Sequence, residues 1–177
     1  WEQYQDIFDS ELTKQGHYEF VTLAANYLDY FMLLSEKWTK KNLANIFDPT
    51  DHQKWLCAMQ GCSYVNFYPR IYNYLKENEY PIKALDEEYL KDRVKNHYIQ
   101  LITFAYLHDI EKLNDSDSQI SILLERARYN ELNQIVWFLH TLRRNIDDQL
   151  RSKVYQLWPV LLNKVDTNTK KGQKLAS

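Results

Sequence analysis

The chain has 177 residues, with 22 Lys and Arg set against 24 Asp and Glu for a formal net charge of −2. That length suits one well-buried domain, and so even a charge balance supplies no basic field to drive nucleic-acid binding, which is left unsupported. Three glycines and four prolines argue for long helices over tight β-turns, while 14 tyrosines and 5 tryptophans offer apolar area for helix seams or a partner surface.

Residues 1–12 read as a short helix with Tyr4, Ile7, Phe8 and Leu12 on one side, closed by Gly16. From Tyr18 to Leu34 almost every residue is apolar and only Glu19 and Asp29 are charged, which predicts a second, buried helix. Residues 35–47 form a weaker amphipathic segment with Trp38, Leu43 and Ile46 inward. Asp48 and Pro49 break the chain, Thr50 with Gln53 makes a capping box, and Gly61 is expected to end the helix that carries Trp55, Leu56 and Met59. Residues 63–69 are expected to be a packed loop. Pro69 then opens a helix to about residue 78, and Pro81 is expected to break the chain again.

The longest helical pattern runs from Ala84 to Leu113. Leu90, Val94, His97, Tyr98, Leu101, Phe104, Ala105 and His108 share one face, and Ile99, Ile102, Tyr106 and Ile110 make its second half apolar all round, as befits a central helix. A polar loop follows at 114–118, where Ser116 and Gln119 repeat the capping box. Helices are expected at about 117–128, 131–144 and 148–163, joined so tightly that neighbours should be antiparallel, with Pro159 kinking or splitting the last. The predicted fold is all-α: an irregular array of antiparallel helical hairpins, as a HEAT-like solenoid or orthogonal bundle, around a long helix at about 84–113. No repeat period recurs with matching residues. Residues 1–165 are expected to form a single domain and 166–177, with Lys170, Lys171 and Lys174, a flexible basic tail. The start at Trp1 and the helix-like ending Lys174, Leu175, Ala176, Ser177 suggest a fragment of a larger protein.

Several constellations invite chemistry. Leu107, His108, Asp109, Ile110, Glu111 and Lys112 form a string that resembles the LLHDIGK-like signature of HD-domain phosphohydrolases, all-helical proteins that hold metal through His, His-Asp and a distant Asp. The resemblance implies His108 and Asp109 as catalytic residues, with Glu111 standing in place of the family's glycine. A shared ion needs a second His from another helix. His97 lies eleven residues upstream on the same predicted helix, roughly 16 Å away along the axis, which leaves His17 and His52. Arg93 and His97, one helical turn apart, resemble the helical Arg and His of HEPN ribonucleases, although that family places four to six residues between them and a polar residue after the Arg, where Val94 stands here.

His52, Cys57 and Cys62 are spaced too loosely for a zinc knuckle and lack further ligands. Two cysteines cannot make a disulfide framework, so a reducing, cytoplasmic setting is expected. No apolar run approaches the ~18 residues of a membrane span. No phosphate loop, nucleophile elbow or HExxH is present, and no cofactor is implied. Arg126, Arg128, Arg143, Arg144, Arg151 and Lys153 form a basic set that acidic neighbours can neutralise.

Residues 131–165, ELNQIVWFLHTLRRNIDDQLRSKVYQLWPVLLNKV, resemble the C-terminal helical regions of large bacterial defence or signalling proteins of the NTPase or sirtuin-like effector kind. The resemblance is one of layout: a helix with Trp and Phe, a short polar turn, then Leu-Trp in the next helix. It implies a piece that senses a partner or holds subunits together. The expected function is a non-catalytic helical scaffold for protein–protein interaction or self-association, the alternative being an HD-type phosphohydrolase or HEPN-like ribonuclease.

Overall fold

The computed structural model describes residues 1–14, 16–144 and 147–165. Among these the chain is all-α, with no strand: α1 (Glu2–Thr13), α2 (Tyr18–Asn26), α3 (Leu28–Leu34), α4 (Glu36–Ile46), α5 (His52–Cys62), α6 (Pro69–Glu77), α7 (Tyr80–Asp86), α8 (Asp92–Leu107), α9 (Gln119–Arg126), α10 (Tyr129–Leu142) and α11 (Asp148–Lys164). Packing divides the chain into two compact units, the first formed by Trp1–Ile71 with Glu87–Val94, the second by Tyr72–Asp86 with the residues from Lys95 onward. The predicted tail at 166–177 lies outside the described residues.

In the first unit, α2 and α5 pack against each other most extensively. The reason is Gly61. A Cβ there would stand 2.9 Å from the Thr22 carbonyl carbon and closer still to its oxygen, so only glycine lets the two backbones approach this far. Gly61 therefore does not end its helix, as the sequence suggested, but serves as the contact point within it; α5 closes one residue later with Ser63 as C-cap. The helix starts on Asp51, whose carboxylate accepts from the Lys54 N–H at 3.0 Å. Thr50, expected to be the cap, instead donates its hydroxyl to Asp48 at 2.7 Å.

Residues 18–34 form two helices rather than one, bent at Tyr27 (φ −107°, ψ 21°). Backbone bonding continues through the bend, since Tyr27 N–H reaches the Leu23 carbonyl and Phe31 N–H reaches that of Tyr27, both at 3.0 Å. Trp1, Phe8, Phe31 and Trp38 join α1, α3 and α4 in a cluster with ring centroids 5.1–6.0 Å apart. Asp9 caps it, accepting from the Trp38 indole at 2.7 Å and from Asn42 at 3.3 Å, so the indole's one donor is satisfied inside the seam.

The expected rod from Ala84 to Leu113 is much shorter, confined to α8 at Asp92–Leu107, whose residues from Lys95 on belong to the second unit. Its upstream part belongs to α7, where Pro81 sits in the first turn, the place a helix tolerates proline, and begins a helix instead of breaking one. Its downstream end is a cap. Asp109 adopts a left-handed conformation (φ 63°), its N–H bonds the Tyr106 carbonyl at 3.1 Å, and Ile110 N–H returns to Ala105 at 2.9 Å. These two bonds around a left-handed residue are a Schellman motif, with His108 as the C-cap.

Beyond this cap, Glu111 is buried at 1% exposure. Its carboxylate accepts from the Tyr72 hydroxyl at 2.8 Å, from the Gln119 N–H at 2.7 Å and from the Ser118 hydroxyl, and pairs with Lys76 at 3.0 Å. A buried acid is tolerable only when its lone pairs are filled in this way. Because Gln119 is the first residue of α9, Glu111 supplies the negative charge at that helix's N-terminus, the job the sequence assigned to Ser116. Burial, then the neighbouring carboxylate, pushes the Tyr72 phenol far above its ordinary range. Pro159 lies inside α11 without splitting it.

Two substitutions test these contacts. Gly61→Ala should destabilise the fold by about 1–3 kcal/mol through enforced separation of α2 and α5, read as a drop in denaturation midpoint; an unchanged midpoint would contradict the close approach. Glu111→Ala should cost on the order of 2–4 kcal/mol by orphaning its buried donors, with Glu111→Gln recovering part of that in the same denaturation series.

Candidate functional site

The residues that the sequence made candidates do not converge. His108 is exposed at the end of α8, its ring 4.3 Å from that of Phe104. This differs from the inward-facing position the periodicity implied, because the helix ends there and the C-cap no longer follows the buried stripe. Asp109 is also exposed and forms an ion pair with Lys153 of α11. That carboxylate thus ties a turn to a helix, and the Tyr106 hydroxyl adds a bond to the Lys153 carbonyl at 3.1 Å.

Arg93 belongs to the first unit, where its guanidinium lies 4.3 Å from the centre of the Tyr64 ring, a cation–π contact. His97 belongs to the second unit and is half-buried. His52 bonds Glu87 at 2.9 Å. Cys57 and Cys62 are not joined in a disulfide, and the second is buried. Among the described residues, no three His, Cys, Asp or Glu side chains are grouped to hold a metal ion.

Four of the basic set, Arg126, Arg128, Arg151 and Lys153, are held in ion pairs. Arg126 grips Asp86 through two bonds of 2.7 and 3.0 Å and also reaches Glu131 at 3.0 Å, and Arg128 adds a bond to Asp86 at 2.7 Å. Burial works to raise the Asp86 carboxyl, but the bonds from Arg128 and Arg126 outweigh it and hold the group below the usual carboxylate range. Glu131, more deeply placed, is raised by burial despite the same two arginines. Arg151 pairs with Asp148 at 3.1 Å, and Arg143 bonds His140. Little uncompensated positive charge remains around Arg126 and Arg128 for a phosphate.

The first unit also holds a cleft of about 380 Å³, lined by Leu12, Val21, Asn45, Asp48 and Lys54 among others. Its polar groups serve one another: Lys54 donates to Asn45 at 2.6 Å and to the Leu12 carbonyl at 3.4 Å, and the Tyr18 hydroxyl donates to Asp51 at 3.4 Å. Bonds from Thr50 hold Asp48 below its ordinary range. Nothing in this arrangement directs a set of donors or acceptors toward a ligand.

What stands out is an exposed apolar face on α2 and α3. Leu23, Tyr27, Tyr30, Leu33 and Leu34 are between 48% and 76% exposed. The cause is geometric. Val21, Ala24, Ala25 and Leu28 are buried at 3% or less, and with that side committed to the core the residues on the other side of the helix must face out. Leu23, Tyr27, Tyr30 and Leu34 follow one another at intervals of four, three and four, the spacing of a coiled-coil seam. The Tyr27 and Tyr30 rings lie 5.8 Å apart on this surface.

The second unit carries a smaller exposed set, Tyr155, Trp158 and Leu162 at intervals of three and four along α11, opposite buried Leu157 and Leu161. The sequence did contain the signal for the larger face. Residues 18–34 have two apolar stripes where a surface helix needs one, and a helix apolar all round was read as wholly buried. Comparison with family models, curated proteins and solved structures finds no match for the chain.

Proposed function

We propose that this chain is a helical interaction module that associates through the α2–α3 face, without chemistry of its own. The observation that carries the reading is the run of five large apolar side chains left in water. Single exposed leucines are ordinary, but contiguous apolar patches of several hundred Å² mark places where something else binds. The layout of residues 131–165, similar to helical regions that follow effector domains in bacterial defence or signalling proteins, supports a sensing or assembly role within a larger protein. The absence of a disulfide between Cys57 and Cys62 supports a cytoplasmic setting, and no helix among the described residues is long and apolar enough to cross a membrane.

The HD and HEPN readings gain no support from geometry. His108 caps a helix, Asp109 is ion-paired and Arg93 lies over a tyrosine ring. Hydrolysis of phosphate esters and of RNA, with and without Mn²⁺, decides between the classes. The expected result is no turnover above background for wild type, and a photo-crosslinking residue at Leu33 that captures protein while one at Lys41 does not. Turnover that disappears in His108→Ala, or in His97→Ala for RNA, would overturn the reading.

A further inference from the structure

We propose that the α2–α3 face is covered by a second copy of the same chain, the two segments lying antiparallel about a two-fold axis. This rests on the association reading above and names its partner. The stripe reads the same from either end: Leu23, four residues, Tyr27, three residues, Tyr30, four residues, Leu34. A two-fold contact requires such self-complementarity, because each residue i that meets j must find j meeting i on the other side. An axis passing between Leu28 and Asp29 places Leu23 against Leu34 of the other copy and Tyr27 against Tyr30.

The charges at the two ends fit the same arrangement. Glu19 precedes the stripe and Lys37 follows it; both are exposed, and neither has an ion-pair partner among the described residues. Antiparallel pairing brings the acidic end of one copy to the basic end of the other, twice. Parallel pairing would set like charges together. Of the charged residues between them, Asp29 is half-exposed and caps the Tyr30 N–H at 2.9 Å, and Glu36 is already paired with Lys40 at 2.7 Å and with Arg70 at 2.5 Å.

The area is also sufficient. Large side chains present on the order of 150–250 Å² each, so the five at 48–76% exposure leave about 600 Å² per copy in water. A symmetric pair would bury about 1,200 Å² in total from these residues alone, the lower bound of a specific, stable interface, before flanking residues are added.

Sedimentation velocity across a hundredfold concentration range, joined to charge exchange, tests the pairing. Wild type should sediment as a reversible dimer. Tyr30→Asp should raise the dissociation constant of the dimer by more than about tenfold with an unchanged helical signal, since the residue lies outside the core. Glu19→Lys and Lys37→Glu should each weaken the dimer by about threefold, and the two together in one chain should restore it. A monomer at every concentration, or a dimer indifferent to Tyr30→Asp, overturns the proposal. If that monomer still crosslinks another protein through Leu33, or binds vesicles of anionic lipid, the second copy is excluded while the surface keeps its role; if it crosslinks nothing and hydrolyses phosphate esters, both readings fail.

Discussion

The contact between Gly61 and the Thr22 carbonyl sets the first unit. Two helices cannot come this close if either carries a side chain at the crossing, and once they do, the rotation of α2 about its axis is fixed. Val21, Ala24 and Ala25 must then point toward α5 and its surroundings. Everything on the opposite side of α2 is committed to the exterior by the same choice, however apolar it is. The small residues that permit the close approach and the large ones that face water are two consequences of one rotation. The aromatic cluster of Trp1, Phe8, Phe31 and Trp38 plays the complementary part for α3, holding its buried side against α1 and α4.

The second unit is organised around a charge instead of a close approach. Glu111 gathers a phenol and a lysine from α6 and a hydroxyl and a helix N-terminus from the start of α9. Ser118 also accepts from the Lys112 N–H at 3.0 Å, and Ser121 donates to the Leu113 carbonyl at 2.8 Å. The stretch that resembles a metal-binding signature is thereby accounted for residue by residue. His108 ends a helix, Asp109 supplies the left-handed turn that asparagine and aspartate tolerate best among residues with a Cβ, and Glu111 anchors the loop that follows. Two of these roles depend on backbone geometry and one on long-range burial.

Much of the fold was legible in the residues, because scarcity of glycine and proline and a 3.6-residue apolar period leave helices as the only economical solution. Local chemistry placed Pro69 at the start of α6 and loop structure at 63–68. Boundaries failed where no punctuation marks them. Residues 87–91 leave the helix without a glycine or proline, and Tyr27 bends its segment while keeping the backbone bonds. Glu111 stands where the resembled signature has a glycine, and its anchoring role was not legible because its Tyr72 partner is 39 residues away in sequence. The exposed face was missed for a different reason. Apolar residues on both sides of one helix identify burial only if the protein is complete as a monomer, and periodicity carries no information about what lies on the far side.

The claim on which the account depends is that the outward side of α2 and α3 is covered when the protein works. Amide hydrogen exchange of residues 18–34, followed at concentrations well below and well above the point of half-association, measures that cover directly. The account predicts slowed exchange confined to this segment at high concentration, with α5 and α9 unchanged. Exchange of residues 18–34 that is the same at every concentration would contradict it.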